Sequence, residues 1–252
     1  MKLARFTVNR QAYYGKLQDG RLFVVEGDIF GSYRITEKSY AVQEVQLLAP
    51  VQPGKVIAIG LNYQAHIGEF FKDPQIPVEP VIFMASPTAV IGPGEPIVLP
   101  YPEHETHFEA ELVVVIGKEG RDIPLEKTGE YIGGYTCGND VSDRTLQKLD
   151  QQWTRAKSFH TFKPLGPYLV TGLAPDRLRI QSRVNGQGKQ ESNTGSLIRG
   201  ANELVSFISK IMTLYPGDVI YTGTPAGVGP LVSGDICEIE IEGIGILRNP
   251  VE

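Results

Sequence analysis

Two glutamates stand two residues apart where a strongly apolar segment begins, in the sequence HFEAELVVVIG. Side chains alternate between the two faces of a β-strand, so Glu109 and Glu111 would point to the same side. Two carboxylates so close repel each other in a half-buried site unless one is protonated or a cation lies between them. The pair therefore indicates a cation site, against the alternative of a solvated strand face paired with basic residues.

A third carboxylate, Asp140, ends another strand-like segment, GGYTCGND, and a folded sheet could bring it beside the first two. Three carboxylate oxygens without a cysteine suit a hard cation, Mg²⁺ or Mn²⁺, with Ca²⁺ as a third candidate. His104 and His107 lie nearby, but HETH lacks the HExxH spacing of a zinc-binding helix. We therefore assign these two histidines a surface or supporting role.

The segment GLNYQAHIGE follows the apolar run KVIAIG and predicts a short helix with Asn62 as its N-cap. His66 and Glu69 would share one face of this helix at i,i+3 spacing. A carboxylate beside an imidazole raises the pKa of the imidazole and orients it, so the pair could move a proton or activate water. The alternative is an incidental pair on the surface of a connecting helix.

Two further features could bind an anionic substrate. In DVIYTGTPAGVGP a strand runs into glycines and threonines, which could expose backbone N–H groups. Phosphate binding is disfavoured because no Walker lysine and no helix follow, which leaves a carboxylate-binding loop or a plain turn. Arg144, Gln147 and Lys157 follow Asp140 within seventeen residues and could provide donors opposite a metal, although each alone is typical of a surface position.

Composition places the 252-residue chain among globular proteins, with 41% hydrophobic and 21% charged residues. A net charge of -5 and the lack of a Lys/Arg run argue against a nucleic-acid or anionic-membrane partner and favour a small molecule. No segment approaches the roughly 20 apolar residues that span a bilayer, and the start predicts a cytoplasmic protein. Cys137 and Cys237 lack metal-ligand spacing and are expected to be buried thiols.

The elements that must position these residues are mostly strands. Residues 1–50 predict a small β domain with a hairpin at Asp19-Gly20, and the linker-like segment APVQPG separates it from residues 51–252. The clearest helix is predicted over residues 201–214, before Pro216-Gly217. Strand-like runs elsewhere favour a mainly β fold with a few helices (α+β), a barrel or sandwich, over a doubly wound sheet.

Several segments taken together resemble the fumarylacetoacetate hydrolase family in their order and spacing, over about residues 50–250. The combination of ExE, a distant GND and TGTPxGVG is specific as a set. The matching segments are GLNYQAHIGE, FEAELVVVIG, GGYTCGNDVSDRTLQ, RAKSFHTFKPLGP, VNGQGKQESNTGSLI and YPGDVIYTGTPAGVGP.

The resemblance implies a mixed β-roll fold, a homodimer, and a small N-terminal β domain like that of bacterial members in the isomerase/decarboxylase branch. It implies that Glu109, Glu111 and Asp140 bind Mg²⁺ or Mn²⁺, which chelates a 2-keto or 2-enol carboxylate as Lewis acid and template.

The resemblance also implies roles for the residues around the metal. Lys157 would support the developing enolate. The helix of His66 and Glu69 would close as a lid carrying the acid/base pair. The remaining implied substrate-binding residues are Arg144, Gln147 and Thr224.

Members of the family hydrolyse C–C bonds of acylpyruvates, decarboxylate oxaloacetate-like acids, or isomerise and decarboxylate intermediates of aromatic-acid breakdown. The resemblance favours hydrolysis or decarboxylation of a small dicarboxylic keto acid over isomerisation, through a metal-stabilised enolate. Which reaction occurs depends on lid geometry, which the sequence does not determine.

Two positions depart from the family pattern. Ala85 stands in FMASPTA where many members have lysine, and the loss of this lysine is expected to alter binding of the substrate carboxylate. His160 stands in KSFHTF where aspartate is usual. Ala85 supports an opposing class, a non-catalytic protein that binds metal and acid. The retained His66, Glu69 and Lys157 argue against that class.

Overall fold

The computed structural model describes residues 1–70 and 75–252, and strands dominate them. The strands are β1 (Lys2–Val8), β2 (Gln11–Gln18), β3 (Arg21–Gly27), β4 (Tyr33–Ala41), β5 (Gln46–Leu48), β6 (Val56–Gly60), β7 (Val81–Ala85), β8 (Val90–Ile91), β9 (Thr106–Phe108), β10 (Ala110–Ile116), β11 (Ile132–Asn139), β12 (Ser142–Asp143), β13 (Lys163–Val170), β14 (Arg179–Val184), β15 (Gln187–Asn193), β16 (Val219–Tyr221), β17 (Gly229–Pro230), β18 (Ile236–Ile241) and β19 (Gly245–Pro250). The helices are α1 (Gln64–Phe70), α2 (Arg144–Leu149) and α3 (Ala201–Ile211), and short 3-10 turns cover Val42–Glu44, Pro87–Ala89, Leu125–Glu130 and Thr194–Ser196.

The largest sheet runs in the order β4-β3-β2-β1-β13-β11-β10-β16-β6-β7. A four-stranded sheet, β15-β14-β18-β19, and a three-stranded sheet, β12-β9-β17, complete the structure. The mainly β, α+β prediction is confirmed. The strands of the first fifty residues extend the large sheet, because β1 pairs antiparallel with β13. The division into two domains at residue 50 and the homodimer stay predictions.

β10 lies at the centre of the large sheet and is buried on both faces. Leu112 and Val114 pack in one core cluster, whereas Val113 and Val115 pack in another. Burial on both faces accounts for a continuous apolar run instead of an alternating pattern. Since Glu111 shares the period-2 register of Val113, it points toward the second cluster.

Two sequence expectations about local structure can be compared directly. The Asp19-Gly20 hairpin is confirmed, with both residues at positive φ, 49° and 73°. α3 ends at Ile211, three residues earlier than predicted, because Met212 is extended at φ -145° and ψ 151°. Within residues 1–70 and 75–252, helices are all too short or too polar to cross a bilayer.

Candidate active site

Strand pairing brings the three predicted metal ligands together. Glu109 and Glu111 flank the start of β10, and β10 pairs with β11 so that Ala110 lies opposite Asn139. Asp140 directly follows β11, and its backbone N–H donates to the Glu109 carbonyl at 2.9 Å. The Asn139 side chain accepts a hydrogen bond from the Glu109 N–H at 2.9 Å. Two adjacent strand ends therefore hold the three acids.

One carboxylate oxygen from each of Glu109, Glu111 and Asp140 lies within 4.8 Å of the others, and we name this group the carboxylate floor. All three residues are at most 3% exposed. Burial, together with the Asp140 and Glu109 carboxylates, raises the pKa of Glu111 well above its usual range. A divalent cation would offset this like-charge repulsion, and three hard oxygen donors fit Mg²⁺ or Mn²⁺.

Buried basic groups also contact the carboxylate floor. Lys157 Nζ lies 2.8 Å from Glu109 Oε2 and 2.6 Å from Asp140 Oδ2. Arg144 reaches the other oxygen of Glu109, Oε1, at 2.5 Å. Burial alone would raise the pKa of Glu109, but Lys157, Arg144 and His66 outweigh it and lower that pKa. Burial opposes protonation of Lys157, yet Asp140 and Glu109 raise the pKa of its ammonium.

α1 carries the predicted acid/base pair. His66 Nδ1 lies 2.7 Å from Glu69 Oε2, as the i,i+3 spacing predicted, and His66 is only 7% exposed. The other oxygen of Glu69 accepts a hydrogen bond from the Gly227 N–H at 2.8 Å. This contact connects α1 to the glycine-rich loop. Glu69 therefore both orients His66 and holds α1 against the rest of the site.

The N-cap prediction for Asn62 is wrong. α1 begins at Gln64, and the Asn62 side chain makes other contacts. Its amide donates to the carbonyls of Arg199 at 3.0 Å and Thr222 at 2.7 Å, and its oxygen accepts from the Arg199 N–H at 2.9 Å. Asn62 thus anchors the chain just before α1 to two other segments.

The glycine-rich loop binds carboxylates that belong to this chain. The Gly223 N–H donates to Glu111 Oε2 at 2.6 Å, and the Gly227 N–H donates to Glu69. Gly223 has φ 105°, and a Cβ there would lie 2.8 Å from the Cβ of Asn62, so glycine suits this close approach. The loop supports the carboxylate floor and α1.

These groups surround a pocket of about 190 Å³. Of the nine predicted site residues, seven line it, and the other two, Glu69 and Asp140, contact the lining residues His66 and Lys157. The lining residues are Ile59, Gly60, Leu61, His66, Glu109, Glu111, Arg144, Gln147, Lys148, Trp153, Lys157 and Thr224. Arg144 and Gln147 come from α2 and contact each other, Arg144 Nη1 donating to Gln147 Oε1 at 2.6 Å.

Thr224 serves as a structural contact as well as a pocket wall. Its hydroxyl donates to the Ala110 carbonyl at 2.9 Å and accepts from the Gln190 amide at 2.8 Å. Gln190 also accepts from the Ala110 N–H at 3.0 Å. Gln190 lies in the VNGQGKQESNTGSLI segment, but no spacing rule in the sequence assigned it a role.

Sequence reasoning also missed Trp153 and Lys163. Trp153 packs edge-on against Phe83, with ring centroids 5.3 Å apart, and lies where a Cβ on Gly60 would be 2.2 Å from its ring. Lys163 begins β13 and is fully buried. Its Nζ lies 2.6 Å from Asp140 Oδ1. Burial lowers the pKa of Lys163 although Asp140 favours its charged form.

The two histidines of HETH lie outside the pocket lining. His104 Nδ1 lies 2.7 Å from Asp143, whose carboxylate caps α2 by accepting from the Leu146 N–H at 2.9 Å. His107 pairs with Glu105 at 2.7 Å. His104 therefore supports the helix that carries Arg144.

The two departures from the family pattern differ in burial. Ala85 is 4% exposed on β7 and shares the strand face of Phe83, whose ring centroid is 5.0 Å from Lys157 Nζ. His160 is exposed. The departure at Ala85 therefore lies in the interior beside the site, whereas the departure at His160 lies on the surface.

The mainly β fold and the three clustered carboxylates define a class of enzyme, and sequence comparison identifies the family. The profile for the fumarylacetoacetate (FAA) hydrolase C-terminal domain matches residues 55–252, and that for the Rv2993c-like N-terminal domain matches residues 1–50. The chain belongs to the fumarylacetoacetate hydrolase family.

The similar proteins include one named as an isomerase, one named as a tautomerase and one named as a hydrolase. The structure of 2-hydroxyhepta-2,4-diene-1,7-dioate isomerase from Mycobacterium marinum is 41% identical, with a TM-score of 0.92, covering 100% of this chain and 98% of that one. Oxaloacetate tautomerase FAHD2A of Bos taurus is 42% identical over 221 residues, which are 82% of this chain and 70% of its own. A maleylpyruvate hydrolase from Sphingobium, in complex with manganese and pyruvate, is 28% identical with a TM-score of 0.83, covering 100% and 98%.

Proposed function

We propose that this chain is a divalent-metal-dependent enzyme that isomerises or tautomerises small 2-keto and 2-enol carboxylic acids. The observation that carries the proposal is the convergence of the carboxylate floor, the Lys157 ammonium and the glutamate-bound His66 on one pocket. Its volume of about 190 Å³ is below the several hundred Å³ typical of drug-sized ligands, so it suits a small acid.

The metal would be held by Glu109, Glu111 and Asp140. When bound, Mg²⁺ or Mn²⁺ supplies a Lewis acid and a template for the keto oxygen and carboxylate of the substrate. Mg²⁺ is our first choice because three protein oxygens leave positions for substrate and water, as Mg²⁺ sites commonly do.

Lys157 and Arg144 provide positive charge beside the substrate oxygen. When a proton leaves the carbon next to the keto group, negative charge develops on that oxygen. The Lys157 ammonium, already positioned by two carboxylates, stabilises this charge without reorganising. Gln147 and Thr224 complete the polar wall, and the amide N–H groups of Gln147, whose oxygen accepts from Arg144, would orient the substrate carboxylate.

His66 is the group that moves the proton. With Glu69 ionised, His66 Nδ1–H would donate to Glu69, and Nε2 would then be the basic nitrogen of the neutral ring. His66 takes the proton from one position of the substrate and returns it to another. This exchange needs no water, which agrees with the reaction named for the isomerase and tautomerase relatives.

Hydrolysis or decarboxylation of a small dicarboxylic keto acid is the second candidate. The hydrolase with bound manganese and pyruvate shares the fold over the whole chain and favours it. In that reaction the same His66 and Glu69 would activate a water molecule instead of moving a substrate proton. The two candidates therefore differ in the source of the proton that His66 handles.

The test is to strip the full-length protein with EDTA, restore Mg²⁺ or Mn²⁺, and assay four substrates separately. Enol-oxaloacetate reports tautomerisation, a hydroxymuconate-type acid reports isomerisation, oxaloacetate reports decarboxylation, and acetylpyruvate reports hydrolysis. Metal-dependent turnover of either of the first two, lost in His66→Gln, supports the proposal. Turnover of only the last two establishes the second candidate. Metal binding without any turnover would show a non-catalytic binding protein.

A further inference from the structure

Lys163 is a buried basic residue that the proposed mechanism does not use. It is 0% exposed and lies outside the pocket lining. Its Nζ donates to the carbonyl of Lys157 at 2.6 Å and to that of Phe162 at 3.1 Å, and it contacts Asp140 Oδ1 at 2.6 Å. A buried ammonium is costly unless such partners satisfy it. The two carbonyls hold Lys163 Nζ by hydrogen bonds, whereas its contact with Asp140 Oδ1 is an ion pair without hydrogen-bond geometry.

The two oxygens of Asp140 face different directions. Lys157 Nζ contacts both Asp140 Oδ2 and Glu109 Oε2, so Oδ2 is the Asp140 oxygen on the side of Glu109. Oδ1 contacts Lys163, which lies outside the pocket lining. A cation bound between the acids would therefore meet Oδ2.

The same division of oxygens holds across the whole carboxylate floor. Each acid has one oxygen in hydrogen-bond or ion-pair contact with a protein nitrogen other than Lys157 Nζ. These contacts are Glu109 Oε1 with Arg144 at 2.5 Å, Glu111 Oε2 with the Gly223 N–H at 2.6 Å, and Asp140 Oδ1 with Lys163 at 2.6 Å. The remaining oxygens, Glu109 Oε2, Asp140 Oδ2 and Glu111 Oε1, would be the ones that meet a metal, and a metal would share the first two with Lys157 Nζ.

We propose that Lys163 is a positioning residue that makes Asp140 a one-oxygen ligand and thereby favours Mg²⁺ and Mn²⁺ over Ca²⁺. The inference rests on the metal site of the proposed function. Mg²⁺ requires six ligands in a close octahedron, whereas Ca²⁺ takes six to eight oxygens and readily uses both oxygens of a carboxylate. By occupying Oδ1, Lys163 denies Ca²⁺ that additional oxygen.

The test is the ratio of dissociation constants for Ca²⁺ and Mg²⁺ in the metal-free full chain, measured by calorimetry before and after Lys163→Met. We expect the substitution to lower this ratio, Ca²⁺ over Mg²⁺, by about tenfold, because Ca²⁺ could then use a carboxylate oxygen that the Mg²⁺ octahedron does not need. Loss of a positive charge affects two divalent ions alike, and so does general loosening of the fold. Both effects largely cancel in the ratio.

Lys55→Met is the matched control. Lys55 pairs with the buried carboxylate of Asp218 at 2.5 Å, and neither residue lines the pocket. The ratio of the Ca²⁺ and Mg²⁺ dissociation constants should not change in this variant. An unchanged ratio in folded Lys163→Met, as checked by circular dichroism, overturns the proposal. Wild-type protein that binds neither ion overturns the metal site itself.

A measurement on the wild-type protein covers the case in which Lys163→Met does not fold. In a crystal structure with Mn²⁺, Asp140 should bind the ion through Oδ2 alone while Lys163 keeps Oδ1. An Asp140 that binds the ion through both oxygens would contradict the proposal. The same crystal without Mn²⁺ at the three acids would contradict the proposed metal site.

Discussion

The carboxylate floor and α1 face the same pocket but are held in different ways. The floor lies at the ends of central strands, each acid is at most 3% exposed, and its contacts to Lys157 and Arg144 are buried. α1 is a seven-residue helix whose Glu69 side chain is 32% exposed and meets Gly227 through one hydrogen bond. Metal binding should therefore depend on the stability of the fold, whereas proton transfer should depend on a few local contacts that can open separately.

The largest expected effect comes from Glu109→Ala. It removes a metal ligand and also the buried carboxylate that Lys157 and Arg144 both contact, and breaking buried ion pairs in this way costs about 3–5 kcal/mol of unfolding free energy. Urea unfolding measures the stability and calorimetry the Mn²⁺ affinity, for which we expect no detectable binding. Glu26→Ala, at the exposed pair with Arg34, is the control and should change neither. Retained Mn²⁺ affinity would refute the ligand assignment.

Glu111→Gln should separate metal binding from stability. Glutamine can still accept from the Gly223 N–H, and it removes the charge that burial, Asp140 and Glu109 disfavour. We expect Mn²⁺ affinity to fall at least about a hundredfold, whereas stability in EDTA stays equal or rises by up to about 1 kcal/mol. A loss of stability as large as that of Glu109→Ala would show that the fold is stabilised by the charge of Glu111 as well as by that of Glu109.

His66→Gln should affect turnover alone. Removal of a positioned acid/base group lowers kcat by about 10²–10⁴-fold. Mn²⁺ affinity and the melting temperature should stay near wild type, because His66 lies on α1 and not on the strands of the floor. Steady-state kinetics with enol-oxaloacetate and Mn²⁺ titration test both statements. Unchanged kcat would exclude His66 as the proton carrier.

Gly227→Ala should have the smallest effect. A Cβ there would lie 2.5 Å from the Lys189 carbonyl at φ 99°, which moves the N–H away from Glu69. Loss of one charge-assisted hydrogen bond predicts about a tenfold fall in kcat/KM without a change in Mn²⁺ affinity. Gly234→Ala is the matched control, because φ is 93° there and its Cβ would meet nothing within 4 Å. Equal effects of both variants would indicate backbone strain alone.

The sequence was informative where local periodicity determines geometry. The spacing of Glu109 and Glu111 at the start of a strand predicted a shared face, and the i,i+3 spacing of His66 and Glu69 predicted a contact that is present at 2.7 Å. Both predictions depend only on the side-chain periodicity within a single strand or helix. The position of Asp140 beside Glu109 needed the antiparallel pairing of β10 with β11, which no local pattern determines.

Contacts between distant segments could not be read from the chain. Lys163 looks like an ordinary strand-start lysine, and its burial depends on how β13 packs behind Asp140. Asn62 was expected to cap α1 because of its residue type, but tertiary partners at Thr222 and Arg199 bind its side chain. Gln190 reaches Thr224 across 34 residues of sequence. Where a side chain has several possible partners, the tertiary fold determines which of them it contacts.

Trp153 is the single tryptophan of the chain, and it forms one wall of the pocket beside Gly60. The protein thus contains an intrinsic fluorophore at the place where an acid would bind. Its emission should respond when a ligand displaces water from the indole, and no label is needed. A titration of the unmodified protein can then follow metal and acid separately, in the order in which they are added.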